Sequence, residues 1–169
     1  MTGRIFTADH HVYDLPPLLS WNVRHTGTVP CDSWSVTAVY QPEMLTVLRM
    51  AAGFAAIENG MTQLRGIVDE YTVELGSRGM TVTLSGRGYA ARLLDNESRP
   101  VTYEQVTLRE LIRCHAEPYG ISCGAAADLR STVPYTAGAG ISQWKVISEF
   151  CRTYGGFLPR FAKTGELLA

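Results

Sequence analysis

The sequence predicts an α+β protein, with an antiparallel β part over residues 1–98 and a small part of two helix–strand units over residues 99–169. Three observations carry this. Apolar and polar residues alternate at period two in several short runs of the first hundred residues, as half-buried strands require. Turn residues separate those runs at hairpin spacing. Beyond Gly88 the apolar period lengthens to that of helices, each followed by a short apolar run. The five or six strands of the first part suit an antiparallel barrel or a sandwich.

Taken in order, Met1 to Asp14 is polar, with Asp9, His10, His11 and Asp14, and reads as a mobile N-terminus and not as a signal peptide. Leu18 to Arg24 follows Pro16-Pro17 and reads as a strand running into a turn at Thr26-Gly27. Ser33 to Tyr40 alternates more cleanly, with Trp34, Val36, Ala38 and Tyr40 on one face. Met44 to Ala52 places Leu45, Leu48 and Ala52 at helical spacing, and Gly53 is expected to break that helix. Phe54 to Glu58 and Thr62 to Tyr71 form a hairpin about Asn59-Gly60, a pair that accepts positive φ at both positions. A turn at Gly76-Ser77-Arg78-Gly79 leads to a strand with Met80, Val82 and Leu84 on one face.

In the second part, Gly88 to Asp95 holds a short helical turn. Thr107 is an N-cap with Glu110 three residues on, and Leu108, Leu111, Ile112 and His115 share a face of the helix that Pro118 ends. Ile121 to Cys123 reads as a strand, and Gly124 to Gly140 as a linker of small residues. Ser142 caps a second helix with Trp144, Ile147, Phe150 and Cys151 or Tyr154 inward, stopped by Gly155-Gly156. Phe157 to Phe161 and Glu166 to Leu168 close the chain as a hairpin about Lys163-Thr164-Gly165.

Composition narrows the function. A hydrophobic share of 46% and a charged share of 18% over 169 residues fit a packed globular protein. The net charge of -1, from 15 basic and 16 acidic residues, offers no basic face for nucleic acid and no polybasic membrane patch. The longest apolar stretch, Met50 to Ile57, is too short to span a bilayer, so a cytoplasmic protein is expected. Cys31, Cys114, Cys123 and Cys151 follow no framework spacing and are expected as free thiols.

No catalytic, cofactor or metal site is expected. Asp9, His10 and His11 are neighbours on an extended chain and point in opposite directions. Cys114 and His115 lie about 100° apart on a helix, which prevents them from converging on a metal with Cys123 or acting as a thiol–base pair. Asp69-Glu70 and Asp95 with Glu97 read as solvated charges at loops and strand ends. Ser85-Gly86-Arg87-Gly88-Tyr89 lacks the lysine and third glycine of phosphate loops and reads as a strand-to-helix turn needing glycine freedom.

An ordered series of segments resembles the hub proteins of phage and prophage tails. Leu15 to Trp21 followed by Pro30-Cys31-Asp32-Ser33-Trp34 is similar to the family's first two strands, and Phe54 through Asn59-Gly60 to its next hairpin. Gly66-Ile67-Val68-Asp69-Glu70-Tyr71 resembles the strand at which the chain exchanges barrel partners. Ser85 through Asp95-Asn96-Glu97 resembles the "G-R-x-x-x-x-L-L-D" run where the last barrel strand meets a helix. Thr107-Leu108 through Pro118-Tyr119-Gly120-Ile121, then Ser142-Gln143-Trp144 to Phe150, Pro159-Arg160-Phe161 and Gly165-Glu166-Leu167, resemble the second domain.

The resemblance implies a tail-tube-type β-barrel over residues 1–98, an α+β domain over 99–169, and a non-enzymatic structural role joining tail tube to tail tip. It implies a homo-oligomer, a trimer, bound to other tail proteins, without cofactor, small-molecule substrate or specific nucleic acid, assembled in the bacterial cytoplasm into the virion tail. Such hubs are longer, so the chain is expected to be an N-terminal portion. The alternatives are the hub part of a tail-associated lysin and the base of a type VI secretion spike. Exposed faces of Trp21 or Trp34 and the apolar patch near Phe54 are expected either at subunit contacts or within the domain's own core.

Overall fold

A computed structural model describes residues 1–27, 30–77 and 79–169 and divides the chain into two compact units, Met1–Gly88 and Tyr89–Ala169. The first unit is antiparallel. It contains β1 (Thr2–Thr7), β2 (Val12–Asp14), β3 (Leu18–Arg24), β4 (Ser33–Val39), α1 (Met44–Arg49), β5 (Ala51–Glu58), β6 (Met61–Gly76) and β7 (Gly79–Gly88). The seven strands form one sheet in the order β2-β1-β5-β6-β7-β4-β3.

The alternation in β4 and β7 decides the buried face. Trp34, Val36 and Ala38 oppose Gly86, Leu84 and Val82 across the ladder, and all of them are buried. Ile5, Phe54 and Leu64 continue that core, and Met44 and Leu48 of α1 close over it. Asn59 and Gly60 turn the β5–β6 hairpin with φ of 52° and 76°, as the residue pair predicts. The turn expected at Gly76-Ser77-Arg78-Gly79 includes Arg78, which lies outside the described residues; Gly76 and Gly79 on either side of it are paired.

Strand β6 changes neighbours halfway. Up to Arg65 it pairs with β5 alone, at Gly66 and Ile67 with both β5 and β7, and from Val68 onward with β7 alone, with a bulge between Val68 and Glu70. Here the β6 and β7 backbones approach so closely that a Cβ at Gly66 would collide with the Arg87 carbonyl, and one at Gly86 with the Ile67 carbonyl. Trp34 lies over Gly86, stacks on Phe54 with ring centroids 3.7 Å apart, and donates its indole N–H to the Ile67 carbonyl at 3.1 Å. Gly86 therefore serves close packing, not the free backbone rotation read from the sequence.

Three expectations need correction. The closed barrel is not found: the sheet ends at β2 and at β3, and no ladder joins these edges among the described residues. Closure needs two edges that run alongside one another, and β2 has three residues against seven in β3. The N-terminus is not loose. Gly3, Ile5 and Thr7 alternate into the core while β1 pairs with β2 and β5. The first helix ends at Arg49, before Gly53, because β5 has begun at Ala51 and Gly53 opposes Phe6 within the sheet.

The second unit contains α2 (Ala91–Leu94), β8 (Val101–Tyr103), α3 (Leu108–His115), β9 (Cys123–Ala125), β10 (Tyr135–Ala137), α4 (Gln143–Phe150), β11 (Arg160–Phe161) and β12 (Leu167–Leu168). Thr107 and Glu110 form the expected capping box: the Thr107 hydroxyl accepts from the Glu110 N–H, and the Glu110 carboxylate accepts from the Thr107 N–H. Ser142 accepts from the Lys145 N–H at the start of α4. Leu108, Leu111, Ile112, Ile147 and Phe150 bring the two helices together in a shared core. The residues expected as a linker hold β10, which pairs with β8, and the strand expected at Ile121 to Cys123 lies two residues later as β9, parallel to β12.

A polar chain crosses this core. The Gln143 amide donates to the Glu97 carbonyl at 2.8 Å and to the Tyr119 hydroxyl at 2.9 Å. Its oxygen is left to accept from His115 Nδ1 at 2.6 Å, which makes His115 Nε2 the acceptor of the Tyr103 hydroxyl at 3.0 Å. Every polar atom of the buried imidazole and amide is thus satisfied.

Gly86→Ala is expected to destabilise the first unit by about 3 kcal/mol through overpacking against Ile67 and Trp34. Gln143→Leu is expected to cost the second unit about 2 kcal/mol by stranding His115. Urea denaturation followed by circular dichroism checks both. Burial pushes the Tyr135 phenol up to about 12 and the Cys151 thiol up to about 11. Both are neutral acids held protonated by the fold, so their stabilising contribution is complete below pH 9 and lost as pH rises through 11 and 12. Melting temperature should fall over that range, and less steeply in a Tyr135→Phe variant.

Candidate assembly surface

The first unit presents open sheet edges. Strand β3 has β4 on one side and no strand on the other among the described residues. It is seven residues long and exposed along most of its length, with Leu19 and Trp21 standing out. Trp21 opposes Val36 across the ladder, so it lies on the core side of the sheet, yet it is 51% exposed. The core-facing apolar stripe therefore runs out to the edge uncovered.

The second open edge is the far half of β6. From Asp69 to Gly76 its only strand partner among the described residues is β7. Its end carries Leu75, 81% exposed, opposite the exposed Met80. Unpaired N–H and C=O groups along such edges are templates for pairing with another chain. β2 is an edge as well, but a short one, capped by the paired side chains of Arg4 and Asp14 at 2.6 Å. That guanidinium holds the Asp14 carboxyl below the usual carboxylate range.

The sheet face away from the core is polar. Thr37 and Thr83 hydrogen-bond across β4 and β7 at 3.0 Å, and Ser35 opposes Ser85 beside them. Three of its charged side chains, Asp69, Glu70 and Arg87, are hydrogen-bonded there. Arg87 donates to both oxygens of Asp69, at 2.9 and 3.0 Å, and Ser85 donates to Glu70 at 3.0 Å. Asp69 and Glu70 thus sit within a strand, at its bulge, and not at a strand end as the sequence was read.

Of the residues expected at contacts, only Trp21 is exposed. Trp34 is 3% exposed and Phe54 fully buried, because both belong to the stack over Gly86. Asp9 and His11 face each other at 3.0 Å across the β1–β2 turn, where His10 has φ of 68°. A hydrogen bond from Thr7, with a smaller contribution from His11, holds the Asp9 carboxyl low. Cys114 is exposed while His115 is buried, and Cys123 is exposed on β9. Among the described residues no three His, Cys, Asp or Glu side chains gather to hold a metal ion, and no helix is long and apolar enough to cross a membrane. The sequence was read as a strand only to Tyr71; the alternation of Tyr71, Val73 and Leu75 with Thr72 and Glu74 carries β6 on to Gly76.

Known structures similar to this chain include tail proteins. A tail protein from Neisseria meningitidis superposes with a TM-score of 0.73 at 14% identity, covering 98% of this chain and 50% of that one. The 43 kDa tail protein of prophage MuSo2 from Shewanella oneidensis gives 0.73 at 14%, covering 99% and 53%. A component of the Escherichia coli type VI secretion system, itself similar in structure to T4 bacteriophage tail proteins, gives 0.52 at 10%, covering 88% and 47%. The fold is that of phage and prophage tail proteins. This chain spans about half the length of the solved structures it matches. No protein-family model and no curated protein matches the chain.

A Trp21→Ser variant is expected to keep the far-ultraviolet spectrum of the parent, since an exposed edge residue contributes little to the fold of a single chain. Intrinsic fluorescence of the variant against the parent separates the Trp21 signal from those of buried Trp34 and Trp144.

Proposed function

We propose that this chain is a structural component of a phage or prophage tail, a hub or baseplate piece joining tail tube to tail tip, and not an enzyme. The first unit acts as the tube-type domain and the second as an attached α+β domain. Copies pair edge to edge, β3 of one against the Asp69–Gly76 half of β6 in the next, so that the sheet closes into a barrel around a channel only in the ring. The observation that carries this is the pair of long open edges on one sheet, in a fold shared with tail proteins.

The edges are chemically suited to each other. Trp21 brings an uncovered apolar ring, and Leu75 and Met80 bring uncovered apolar ends on the same core-facing side. Head-to-tail pairing of unlike edges is heterologous and gives a closed ring when the rotation fits, here three copies. The polar face, with its hydroxyls and the Arg87–Asp69 pair, then lines a wet channel. Other tail proteins bind above and below, in the virion tail, after assembly in the bacterial cytoplasm. A second reading, the base of a type VI secretion spike, is favoured by the likeness to that system's component and uses the same surfaces.

Light scattering over a concentration series tests the ring. The expected result is a mass of about three chains that persists on dilution and falls to one chain in Trp21→Ser. A persistent monomer, or a trimer indifferent to Trp21→Ser and to Leu75→Asp alike, overturns the edge pairing.

A further inference from the structure

The second unit has an open strand edge of its own, inside a trough, and the geometry points to a docking site for one extended polypeptide segment that adds as a strand to β9 and carries an acidic and a basic residue four positions apart. The trough has a volume of about 590 Å³. One wall is β9 with its flanking residues, Ser122 to Ala126. The other is Arg109 and Ile112 of α3, with Glu117 just beyond the helix, and buried Ile112 and Ile121 give it an apolar floor.

The backbone at this wall is available. β9 ends its three-stranded sheet, whose order is β11-β12-β9. Leu167 faces Cys123 and donates its N–H to the Ser122 carbonyl at 2.9 Å. In a parallel ladder with that register, Cys123 directs its own N–H and C=O the other way, into the trough. Ser122 to Ala125 are exposed without interruption and carry no charge. No polar side chain of the lining is buried, so a small molecule would find no oriented polar group there. What the trough offers is main-chain donors and acceptors beside apolar surface, which is what strand addition uses.

Charge selects the occupant. Arg109 and Glu117 are exposed, and neither has an ion-pair partner among the described residues. Eight positions separate them, six within α3 and two in the turn that continues it, or about 12 Å along the α3 direction. In an extended strand, residues four apart share a face and lie about 13 Å apart. An acid and a base at that spacing meet Arg109 and Glu117 together. With β9 on one side and α3 on the other, the trough suits a lone segment and not a second copy of this unit.

The probes are two acetylated octapeptides, Thr-Asp-Val-Thr-Val-Lys-Thr-Gly and its charge-reversed order Thr-Lys-Val-Thr-Val-Asp-Thr-Gly, with a third in which Thr replaces both charges. The readout on the full chain is the rate of N-ethylmaleimide alkylation at each cysteine, followed by mass spectrometry. One charge order should slow Cys123 at least about tenfold more effectively than the neutral peptide, leaving Cys31 and Cys114 unaffected. Arg109→Glu and Glu117→Arg should each abolish that advantage, and the double exchange should transfer it to the opposite charge order. If neither order protects Cys123 at about 1 mM, or protection ignores the charge exchange, the site is wrong. Ring formation is read separately by mass, so the two conclusions fail independently.

Discussion

Trp34 holds the first unit together at the place where its sheet is most easily undone. A strand that loses one neighbour and continues with the other must bend, and bending opens the ladder. The indole covers that bend with its face on Phe54, its edge over Gly86 and its N–H on the Ile67 carbonyl. One side chain from β4 thereby ties β5, β6 and β7 to each other. The two glycines in the ladder are its counterpart, since any side chain there would push the strands apart. With this point secured, the far half of β6 can stand beyond β5 with an open edge and still be ordered through β7.

The two units keep their stability by different means. The first relies on alternating strands with one polar and one apolar face, and its single helix serves as a cover. The second relies on two capped helices with very short strands around them, and on a buried polar chain running from Tyr103 through His115 and Gln143 to Tyr119. A buried imidazole is tolerated there because every donor has an acceptor. Such a chain favours one arrangement of α3 against α4, since any slip leaves a polar group stranded in an apolar core.

Sequence reading reached some of this and missed the rest for physical reasons. β3, β4, the Asn59-Gly60 turn, the Thr107–Glu110 box and the face of α3 were legible, because each rests on a local rule of spacing or capping. β1 was hidden by the histidines that follow it, although Gly3, Ile5 and Thr7 alternate. β8 and β10 were missed because three-residue strands carry no period and their partners lie some thirty residues away in sequence. Strand number and spacing left barrel and sandwich open, and only family resemblance chose the barrel. The candidate surface was half legible: alternation identified Trp21 and Trp34 equally as strand residues, but only the ladder order places one at an edge and the other in the middle.

The order of strands in the sheet also bears on how the chain reaches its fold. β6 and β7 are adjacent in sequence and meet cheaply, whereas β4 must find β7 across a gap of more than forty residues, and β3 joins the sheet only through β4. Contacts of such long range are slow to form. The edge carrying Trp21 is therefore among the last to be laid down. Until then the apolar faces of β4 and β7 stand open, so this protein's greatest exposure to misassociation comes before its edge exists and not after.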